Sequence, residues 1–306
     1  MSPRVGLAVN PTSGQGRGAK AGDQAARHLL AAGIDVTELT GVDADDLSRR
    51  IAAALGRIDA LVVVGGDGMV NLGVNATAGT GTPLGIVPAG TGNDIGRALG
   101  LPVADWSGAA DLVRRALATG VTRRVDAARC TGAGTDRWFA GVLGAGFDAL
   151  VNERANGWRW PRGRMRYNLA IARELPTFRP REYLIDLDGE RHSSRAMLVA
   201  IGNGPSYGGG MRVLPDARMD DGLLDVMVLE PVSRLEFLRI FPRVYSGTHV
   251  SHPRVLLHRA REVGVRAAGI VGYADGERFG PLPLTSRVVP GALRLLAPTT
   301  TSTVER

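Results

Sequence analysis

A chain of 306 residues, 44% of them hydrophobic, is long enough for two domains that each bury a core. The single cysteine, Cys130, excludes an internal disulfide framework and predicts a reducing, cytoplasmic location. Arginine supplies nearly all the positive charge, since Lys20 is the only lysine, and the net charge of +7 favours anionic partners such as phosphates and acidic lipid surfaces. No known nucleic-acid-binding motif is present, so nucleic acid is not expected as a partner. No apolar run is long enough to span a membrane.

The first half of the chain alternates short apolar runs with amphipathic stretches. Predicted strands cover residues 4–9, 34–39, 59–64 and 83–87. Predicted helices cover residues 19–32, 43–55, 69–78, 95–99 and 105–119. Strands that alternate with helices predict a parallel sheet covered by helices on both faces.

Three polar, glycine-rich loops follow predicted strands. They cover residues 10–18, 65–68 and 88–94. The carboxyl ends of parallel strands share one edge of the sheet, so we expect the loops to converge there. Glycine lets a phosphate approach bare backbone N–H groups, and the N-terminus of a following helix attracts anions. Convergence of the loops therefore predicts a polyphosphate site, although the first loop alone matches the dinucleotide-binding spacing only weakly.

One carboxylate lies inside the second loop, which reads Gly65-Gly66-Asp67-Gly68. A carboxylate beside phosphates is favourable mainly when Mg²⁺ lies between them. The alternative is that Asp67 is an ordinary N-cap of the helix that follows. The residues of this loop do not by themselves decide between a magnesium site and a cap.

After Val121 the pattern changes to short alternating segments separated by turns. Predicted strands cover residues 123–130, 137–143, 182–187, 195–202, 223–229, 254–257, 262–267, 287–289 and 293–297. Helical segments interrupt them at about 148–175 and 235–245. This pattern predicts an antiparallel β-sandwich or barrel-like domain. The predicted boundaries are 1–122 for the α/β domain, 123–298 for the β domain and 299–306 for a polar tail.

A series of different polar, glycine-rich motifs runs along both halves of the chain. The first half contains Asn10-Pro-Thr-Ser-Gly14, Gly65-Gly-Asp-Gly68 and Gly90-Thr-Gly-Asn-Asp94. The second half contains Asn203-Gly204, Tyr207-Gly-Gly-Gly210, Asp220-Asp-Gly-Leu-Leu-Asp225 and Asp275-Gly-Glu277. From about residue 4 to 298 this series resembles the diacylglycerol kinase catalytic-domain family, which includes sphingosine kinases and soluble bacterial lipid kinases. The Gly-Gly-Asp-Gly motif alone is shared with NAD kinases and phosphofructokinases.

The resemblance implies an NAD kinase-like α/β domain, a C-terminal β-sandwich, and ATP- and Mg²⁺-dependent phosphorylation of a lipid hydroxyl, most simply that of diacylglycerol. The residues that it implies for nucleotide binding are Asn10, Pro11, Thr12, Ser13, Gly14, Thr40, Gly65, Gly66, Asp67, Gly68, Met69, Val70, Asn71, Thr91, Asn93 and Asp94. It also implies a structural Mg²⁺ held by Asp221 and the backbone carbonyls of Arg218 and Leu223. The implied catalytic residues are Glu277, Asp275 and Asp67. Met69 departs from the family, which usually has Thr there, so a hydroxyl near the phosphates is lost.

Phosphoryl transfer requires a held γ-phosphate, a neutralising Mg²⁺ and an aligned, deprotonated hydroxyl. Asp67 and Asp94 are the candidates for neutralisation through Mg²⁺, and Asp275 or Glu277 is the candidate general base. Each acidic turn of the second half also has a structural alternative. Asp275-Gly is a strong hairpin signal, and Asp220-Asp221-Gly222 suits a turn before a strand as well as a site for a hard cation.

The segment Glu153–Tyr167 interleaves Trp158 and Trp160 with arginines. Tryptophan and arginine suit the headgroup region of an anionic membrane, which predicts peripheral membrane contact. The alternative is a helix whose tryptophans pack on the sandwich. His249 is interpreted as a surface or packing residue rather than a metal ligand, because no further ligands accompany it.

Two other functions stay open. An NAD kinase would share the Gly-Gly-Asp-Gly loop, but the motifs 220–225 and 275–277 argue against it. The second alternative is a regulator that binds a nucleotide or a lipid without strong catalysis. Met69 is the one residue that favours it. The sequence does not determine the oligomeric state, for which a homodimer is one candidate.

Overall fold

The structure, a computed structural model, describes residues 2–132, 134–158, 164–174 and 179–297. The chain forms two compact units, of which the first contains residues 1–125 and the segment from Gly291, and the second contains residues 126–290. The predicted boundaries, 1–122 and 123–298, stay predictions. Leu295, in the segment from Gly291, pairs in parallel with Leu84. The predicted tail 299–306 lies outside the described residues.

Residues 2–122 form four strands, each followed by one or two helices, with a short 3₁₀ helix at Leu55–Arg57. The strands are β1 (Arg4–Val9), β2 (Asp35–Leu39), β3 (Ala60–Gly65) and β4 (Leu84–Pro88). The helices are α1 (Ser13–Ala31), α2 (Ala44–Ala54), α3 (Asp67–Thr77), α4 (Asp94–Ala98) and α5 (Trp106–Thr119). All strand pairs in the order β2-β1-β3-β4 are parallel.

Alternate residues of β3 face two helical layers. A Cβ on Gly85 would lie 3.0 Å from both Val62 of β3 and Val113 of α5. A Cβ on Gly73 of α3 would lie 2.9 Å from Val63. Neighbouring side chains of a strand point to opposite faces, so α5 and α3 cover the two faces of the sheet. The predicted α/β layer architecture is confirmed.

Helix α1 begins at Ser13, whereas the sequence predicted a loop as far as Gly18. Its start is not regular, because Gly14 and Gly16 have φ of 58° and 91°. The Asn10 carboxamide oxygen accepts hydrogen bonds from the backbone N–H and the hydroxyl of Thr12 at 3.0 and 2.8 Å, which fixes the turn into the helix. The glycine-rich composition hid this start, because glycine is a poor helix former.

The second unit is an antiparallel β structure with three helices, and two strands at its ends continue into the first unit. The strands are β5 (Arg123–Gly132), β6 (Thr135–Phe139), β7 (Val142–Gly146), β8 (Arg181–Leu187), β9 (Glu190–Ala196), β10 (Leu198–Gly202), β11 (Leu224–Leu229), β12 (Val255–Ala260), β13 (Glu262–Arg266), β14 (Val271–Ala274), β15 (Glu277–Pro281) and β16 (Leu284–Leu295). The helices are α6 (Phe147–Asn156), α7 (Arg164–Glu174) and α8 (Arg234–Ile240), with 3₁₀ helices at Phe241–Val244 and Thr248–Ser251.

Six strands of the second unit form one antiparallel sheet in the order β12-β11-β10-β7-β14-β15. Strands β16, β13, β8 and β9 form a second antiparallel run. Val199 and Ile201 of β10 belong to the core between these layers, whereas Leu198 and Ala200 belong to a second core that includes residues of α6, α7 and α8. The predicted β-sandwich is confirmed, with helices covering one of its outer faces.

Several predicted strands differ in the second unit. The segments 137–143 and 195–202 are each divided between two strands. Residues 287–289 and 293–295 belong to the single strand β16, which ends two residues before the predicted end at 297. The sequence analysis missed β14 and β15, which flank Asp275. These strands are only four and five residues long, too short for a clear alternating pattern.

Candidate active site

The three glycine-rich loops of the first unit meet at the carboxyl edge of its parallel sheet. The Ala89 N–H donates to the Gly65 carbonyl at 2.8 Å, and the Asn10 N–H donates to the Val64 carbonyl at 3.2 Å. A Cβ on Gly90 would lie 2.4 Å from the Gly66 Cα, and one on Gly14 would lie 2.2 Å from the Ala89 carbonyl oxygen. Glycine is therefore required where the loops touch, and the structure brings the loops together as expected from the sequence.

Asp67 joins the second loop to the third. It is the first residue of α3, and its Oδ1 accepts a hydrogen bond from the Ile95 N–H at 3.1 Å. Its Oδ2 lies beside Gly92, where a Cβ would be 2.6 Å away. The N-cap of α3 is Gly66, so the alternative that Asp67 caps the helix does not hold. A half-buried carboxylate between two glycine loops is a suitable ligand for Mg²⁺ next to phosphates.

Asn93 and Asp94 hold the shape of the third loop. Asn93 adopts a left-handed conformation with φ of 56°. Its carboxamide accepts from the Gly90 N–H at 2.9 Å and donates to the Gly90 carbonyl at 3.1 Å. Asp94 is buried and pairs with Arg97 at 2.6 Å. Thr91 is exposed, so it is the residue of this loop that is open to a ligand.

Met69, Val70 and Asn71 are buried in α3. The Met69 side chain packs under the second loop, since a Cβ on Gly65 would lie 2.5 Å from the Met69 Cγ. The N–H groups of Met69 and Val70 both donate to the Gly66 carbonyl, at 2.9 and 3.1 Å. Met69 therefore supports the loop from beneath, and in the first turn of α3 the N–H groups before it point out of the helix.

The first loop offers exposed polar groups and a cation that the sequence analysis missed. Pro11 and Thr12 are exposed, and so is Thr40 directly after β2. Arg17 is also exposed, and its Nε donates to the Gly14 carbonyl at 2.9 Å. An arginine inside a glycine-rich loop is the signal that could have identified it, because guanidinium groups pair well with phosphate.

In the second unit, Asp275 and Gly276 form a two-residue turn between β14 and β15, with φ of 53° and 86°. Positive φ at both positions is typical of the type I′ hairpin turn, so the structural interpretation of Asp-Gly is right for the backbone. The buried Asp275 carboxylate accepts from the N–H groups of Ala140 and Gly141, both at 3.0 Å. The Glu277 side chain is exposed. The two carboxylates therefore differ in environment: one is held by backbone donors, and the other is open to solvent.

Asp221 lies at an acidic groove of the second unit, about 880 Å³ in volume, lined in part by Asp126, Asp188, Asp220 and Glu262. The Asp221 carboxylate accepts from the Leu223 N–H at 3.1 Å and pairs with Arg259. Arg218 is exposed and lies 3.6 Å from Asp220. Within the described residues, no cluster of three or more His, Cys, Asp or Glu side chains could hold a metal. A cation here would therefore depend on Asp221 and carbonyl oxygens, which are hard donors that suit Mg²⁺.

Asp225 is half-buried and shares the guanidinium of Arg259 with Asp221. Burial raises the pKa of Asp225 above its usual value, and the nearby carboxylates of Asp221 and Asp216 act in the same direction. Arg259, whose Nε lies 3.3 Å from Asp225 Oδ1, offsets part of this effect. The 220–225 cluster, defined by Asp220, Asp221 and Asp225, thus places three carboxylates in one short segment.

An apolar cavity of about 50 Å³ lies between the six-stranded sheet and the helices of the second unit. Phe147, Met211, Phe237 and Phe241 line it together with His249. His249 is buried, its Nε2 lies 3.0 Å from the Val213 carbonyl oxygen, and burial lowers its pKa.

Trp158 is half-buried and packs against the core next to this cavity, as the structural alternative for the tryptophan segment expected. Trp160 lies outside the described residues.

Comparisons with known proteins match both halves of the chain. The profile of the diacylglycerol kinase catalytic domain matches residues 4–130, and that of the YegS C-terminal NAD kinase beta sandwich-like domain matches residues 141–297. A diacylglycerol kinase of Mycobacterium tuberculosis (strain ATCC 25618 / H37Rv) is 43% identical over 298 residues, which cover 96% of this chain and 95% of the relative. The chain belongs to the diacylglycerol kinase family. A diacylglycerol kinase of Bacillus subtilis (strain 168) is 31% identical over 285 residues, which cover 92% and 91% of the two chains.

Solved structures agree with the fold of this diacylglycerol kinase family member. A diacylglycerol kinase from Bacillus anthracis has a TM-score of 0.72 at 22% identity and covers 97% of each chain. An NAD kinase from Archaeoglobus fulgidus, solved in complex with ATP, has a TM-score of 0.53 at 12% identity and covers 95% of this chain and 92% of that one. The predicted family and the enzyme class, a phosphotransferase with an alcohol acceptor, are confirmed. None of the helices in the described part of the chain is both long and apolar enough to cross a membrane.

Proposed function

We propose that this family member is a lipid kinase that uses ATP and Mg²⁺ and transfers the γ-phosphate to the hydroxyl of diacylglycerol, giving phosphatidic acid. The observation that carries the proposal is that three glycine-rich loops contact one another. Asp67 of the second loop also accepts a hydrogen bond from the Ile95 N–H, which follows the third loop. The names of the two relatives described above support diacylglycerol as the acceptor.

The nucleotide is assigned to the first unit. Backbone N–H groups of the glycine loops and the first turn of α3 face the phosphates, and the exposed Arg17 adds a positive charge. Asp67 would hold Mg²⁺, which neutralises phosphate charge when bound. Asp94 is a weaker candidate for this role than the sequence suggested, because it already pairs with Arg97.

The general base is assigned to Glu277. It takes the proton of the lipid hydroxyl while the hydroxyl oxygen attacks the γ-phosphorus, the bond from that phosphorus to the bridging oxygen breaks, and ADP leaves. Both Asp275 oxygens accept backbone N–H groups, so Asp275 positions the turn that carries Glu277. An exposed carboxylate can rotate to meet its substrate, whereas a carboxylate held by two backbone donors cannot do so without breaking them.

The lipid is assigned to the second unit, and the membrane to the helices beside its apolar cavity. Leu235 and Leu238 of α8 are 70% and 54% exposed, whereas Phe237 of the same helix lines the cavity. On α7, Met165 and Leu169 are exposed and Ile171 lines the cavity. At about 50 Å³ the cavity holds no more than a few water molecules, so an acyl chain would enter only when these helices separate.

Two further assignments follow the same proposal. A cytoplasmic protein that binds an anionic membrane peripherally would meet its lipid at the exposed apolar residues of α7 and α8. A structural Mg²⁺ held by Asp221 and the carbonyls of Arg218 and Leu223 would offset the negative charge of the 220–225 cluster. The proposed kinase activity requires neither the membrane contact nor the structural Mg²⁺.

An acceptor panel tests the proposal directly. The wild-type protein is incubated with γ-labelled ATP and Mg²⁺ and offered diacylglycerol, a sphingoid base, a polyprenol or NAD in separate reactions. We expect label in diacylglycerol and its loss when EDTA removes Mg²⁺. Label in NAD alone would instead favour an NAD kinase, and label in none of the four would favour a regulator without strong catalysis.

A further inference from the structure

A chain of buried hydrogen bonds within the second unit begins at the acidic loop that precedes β11. The Asp126 N–H donates to the Met219 carbonyl at 2.8 Å. The Asp126 Oδ2 accepts from the Gly222 N–H, also at 2.8 Å. Asp126 itself is buried, at 4% exposed, and its two bonds hold the loop at Met219 and at Gly222.

Asn203 continues this chain of bonds toward the Asp275 turn. Its side-chain amide donates to the Asp126 carbonyl at 2.9 Å and to the Ala140 carbonyl at 3.1 Å. Its backbone N–H donates to the Gly141 carbonyl at 2.9 Å. The N–H groups of Ala140 and Gly141 in turn hold the Asp275 carboxylate. Asn203 is thus the link between the acidic loop and the turn that carries Glu277.

The burial of Asn203 argues for more than a role in packing. The residue is 0% exposed, and its Oδ1 has no hydrogen-bond partner among the described residues. A buried acceptor without a partner costs free energy, which an apolar side chain of similar size would avoid. The presence of an amide at this buried position is therefore best explained by the two hydrogen bonds that its Nδ2 donates, to the carbonyls of Asp126 and Ala140.

We propose that Asn203 is a positioning residue that couples the order of the 219–222 loop to the placement of Glu277. Asn203 contacts the Asp275 turn through the Ala140–Gly141 segment, and it contacts the 219–222 loop through Asp126. A loop that loosens would release Asp126, then Asn203, and then the hairpin turn. The inference rests on the proposed role of Glu277 as general base.

The coupling predicts a specific kinetic pattern. The hydrogen bonds lie wholly within residues 126–290, whereas the glycine loops assigned to ATP lie within residues 1–125. Breaking the bonds should lower kcat and leave the KM for ATP unchanged. A general loss of folding would instead lower the active fraction and the melting temperature together.

Single substitutions test this pattern with diacylglycerol as acceptor. We expect Asn203→Ala and Asp126→Ala to lower kcat about tenfold to 100-fold, since a small misplacement of a reacting group has such effects, with the KM for ATP within about twofold of wild type. Asp126→Asn keeps an oxygen that can accept from the Gly222 N–H and should restore most of kcat. The matched control is Ser286→Ala, which removes a buried polar group of this unit outside the chain of bonds and should leave kcat unchanged.

A double-mutant cycle separates coupling from independent damage. The Asp126 carboxylate accepts from the Gly222 N–H, whereas the Asp275 carboxylate accepts from the N–H groups of Ala140 and Gly141. The two losses should therefore be additive unless the chain of bonds couples them. We expect Asp126→Ala and Asp275→Asn to be non-additive in kcat, and Ser286→Ala with Asp275→Asn to be additive. Additive losses in the first pair would overturn the proposal. If Asn203→Ala does not fold, the Asp126 variants carry the test alone.

Hydrogen exchange gives a readout that does not depend on catalysis. In Asp126→Ala, amide exchange should accelerate in peptides covering Ala140–Gly141 and the Asp275 turn, and not in Ser286→Ala. Unchanged exchange at both segments would contradict the coupling even in an active enzyme. A wild-type protein that labels no acceptor would contradict the proposed kinase function instead, so the two failures are distinguishable.

Discussion

At the scale of single residues, carboxylates that look alike in sequence have different environments. Asp67 and Asp275 each lie next to glycine in a turn, and each accepts hydrogen bonds from backbone N–H groups. Asp67 is half-buried and its Oδ1 accepts from the Ile95 N–H, whereas Asp275 is buried and both of its oxygens accept from backbone N–H groups. Glu277, two residues further on, is exposed. These differences in burial and bonding support the roles proposed above: Mg²⁺ binding for Asp67, positioning for Asp275 and proton transfer for Glu277.

Two substitutions separate the structural bond of Asp67 from its charge. Asp67→Asn retains an oxygen that can accept from the Ile95 N–H, so we expect little change in the free energy of unfolding. Asp67→Ala loses that bond and should destabilise the protein by about 1 kcal/mol. Both variants lose the carboxylate assigned to Mg²⁺ and should lower kcat at least about 100-fold. Thermal melts and the labelled-phosphate assay measure the two effects separately.

Asp23→Asn is the matched control, because it removes one exposed carboxylate from α1 of the same unit. It should change neither stability nor kcat. Wild-type turnover by Asp67→Asn would exclude Asp67 from metal binding.

At the scale of elements, close backbone contacts between loops define the predicted nucleotide site. Sequence analysis found the loops, because glycine clusters after strands are visible in sequence. It could not show that Gly90 touches Gly66 or that Gly14 touches Ala89, since these contacts join loops distant in sequence. It missed the start of α1 at Ser13 for a different reason, because the glycine-rich composition of this segment predicts a loop rather than a helix.

A single methyl group at the contact between two loops tests this geometry. Gly90→Ala would place a Cβ 2.4 Å from the Gly66 Cα, so the loops must separate. We expect destabilisation of about 1–3 kcal/mol, typical of overpacking, and weaker ATP binding. Gly56→Ala is the control, because no atom lies within 4 Å of the added Cβ. Equal ATP affinity in the two variants, measured by calorimetry, would contradict a nucleotide site at the loop contact.

The exposed leucines of α8 make a separate prediction about membrane contact. Leu235→Ser with Leu238→Ser removes apolar area from the surface and leaves Phe237 in the core. We expect sedimentation with anionic phosphatidylglycerol vesicles to fall several-fold, because binding scales with buried apolar area. Leu30→Ser, at a 55% exposed leucine of α1 in the first unit, should bind as wild type does. Equal binding by all three proteins would exclude α8 as a membrane contact.

At the scale of the whole molecule, the sequence predicted the two domain types and the family, because strand and helix periods and the order of polar motifs are local signals. It did not show that the segment from Gly291 pairs with a strand of the first unit. It also gave no role to Asp126 or Asn203. Their hydrogen bond joins residues 77 positions apart, and such a pairing leaves no pattern in one sequence.

The central claim is that Glu277 removes the proton from the lipid hydroxyl that attacks the γ-phosphate of ATP. The most direct measurement is the rate of label transfer from γ-labelled ATP to diacylglycerol by wild type and Glu277→Gln, with ATP affinity measured on the same samples. Glu190→Gln, at an exposed glutamate of the same unit, is the control. We predict a fall in rate of about 100-fold or more for Glu277→Gln, with ATP affinity and the control unchanged. Transfer by Glu277→Gln at the wild-type rate would contradict the account.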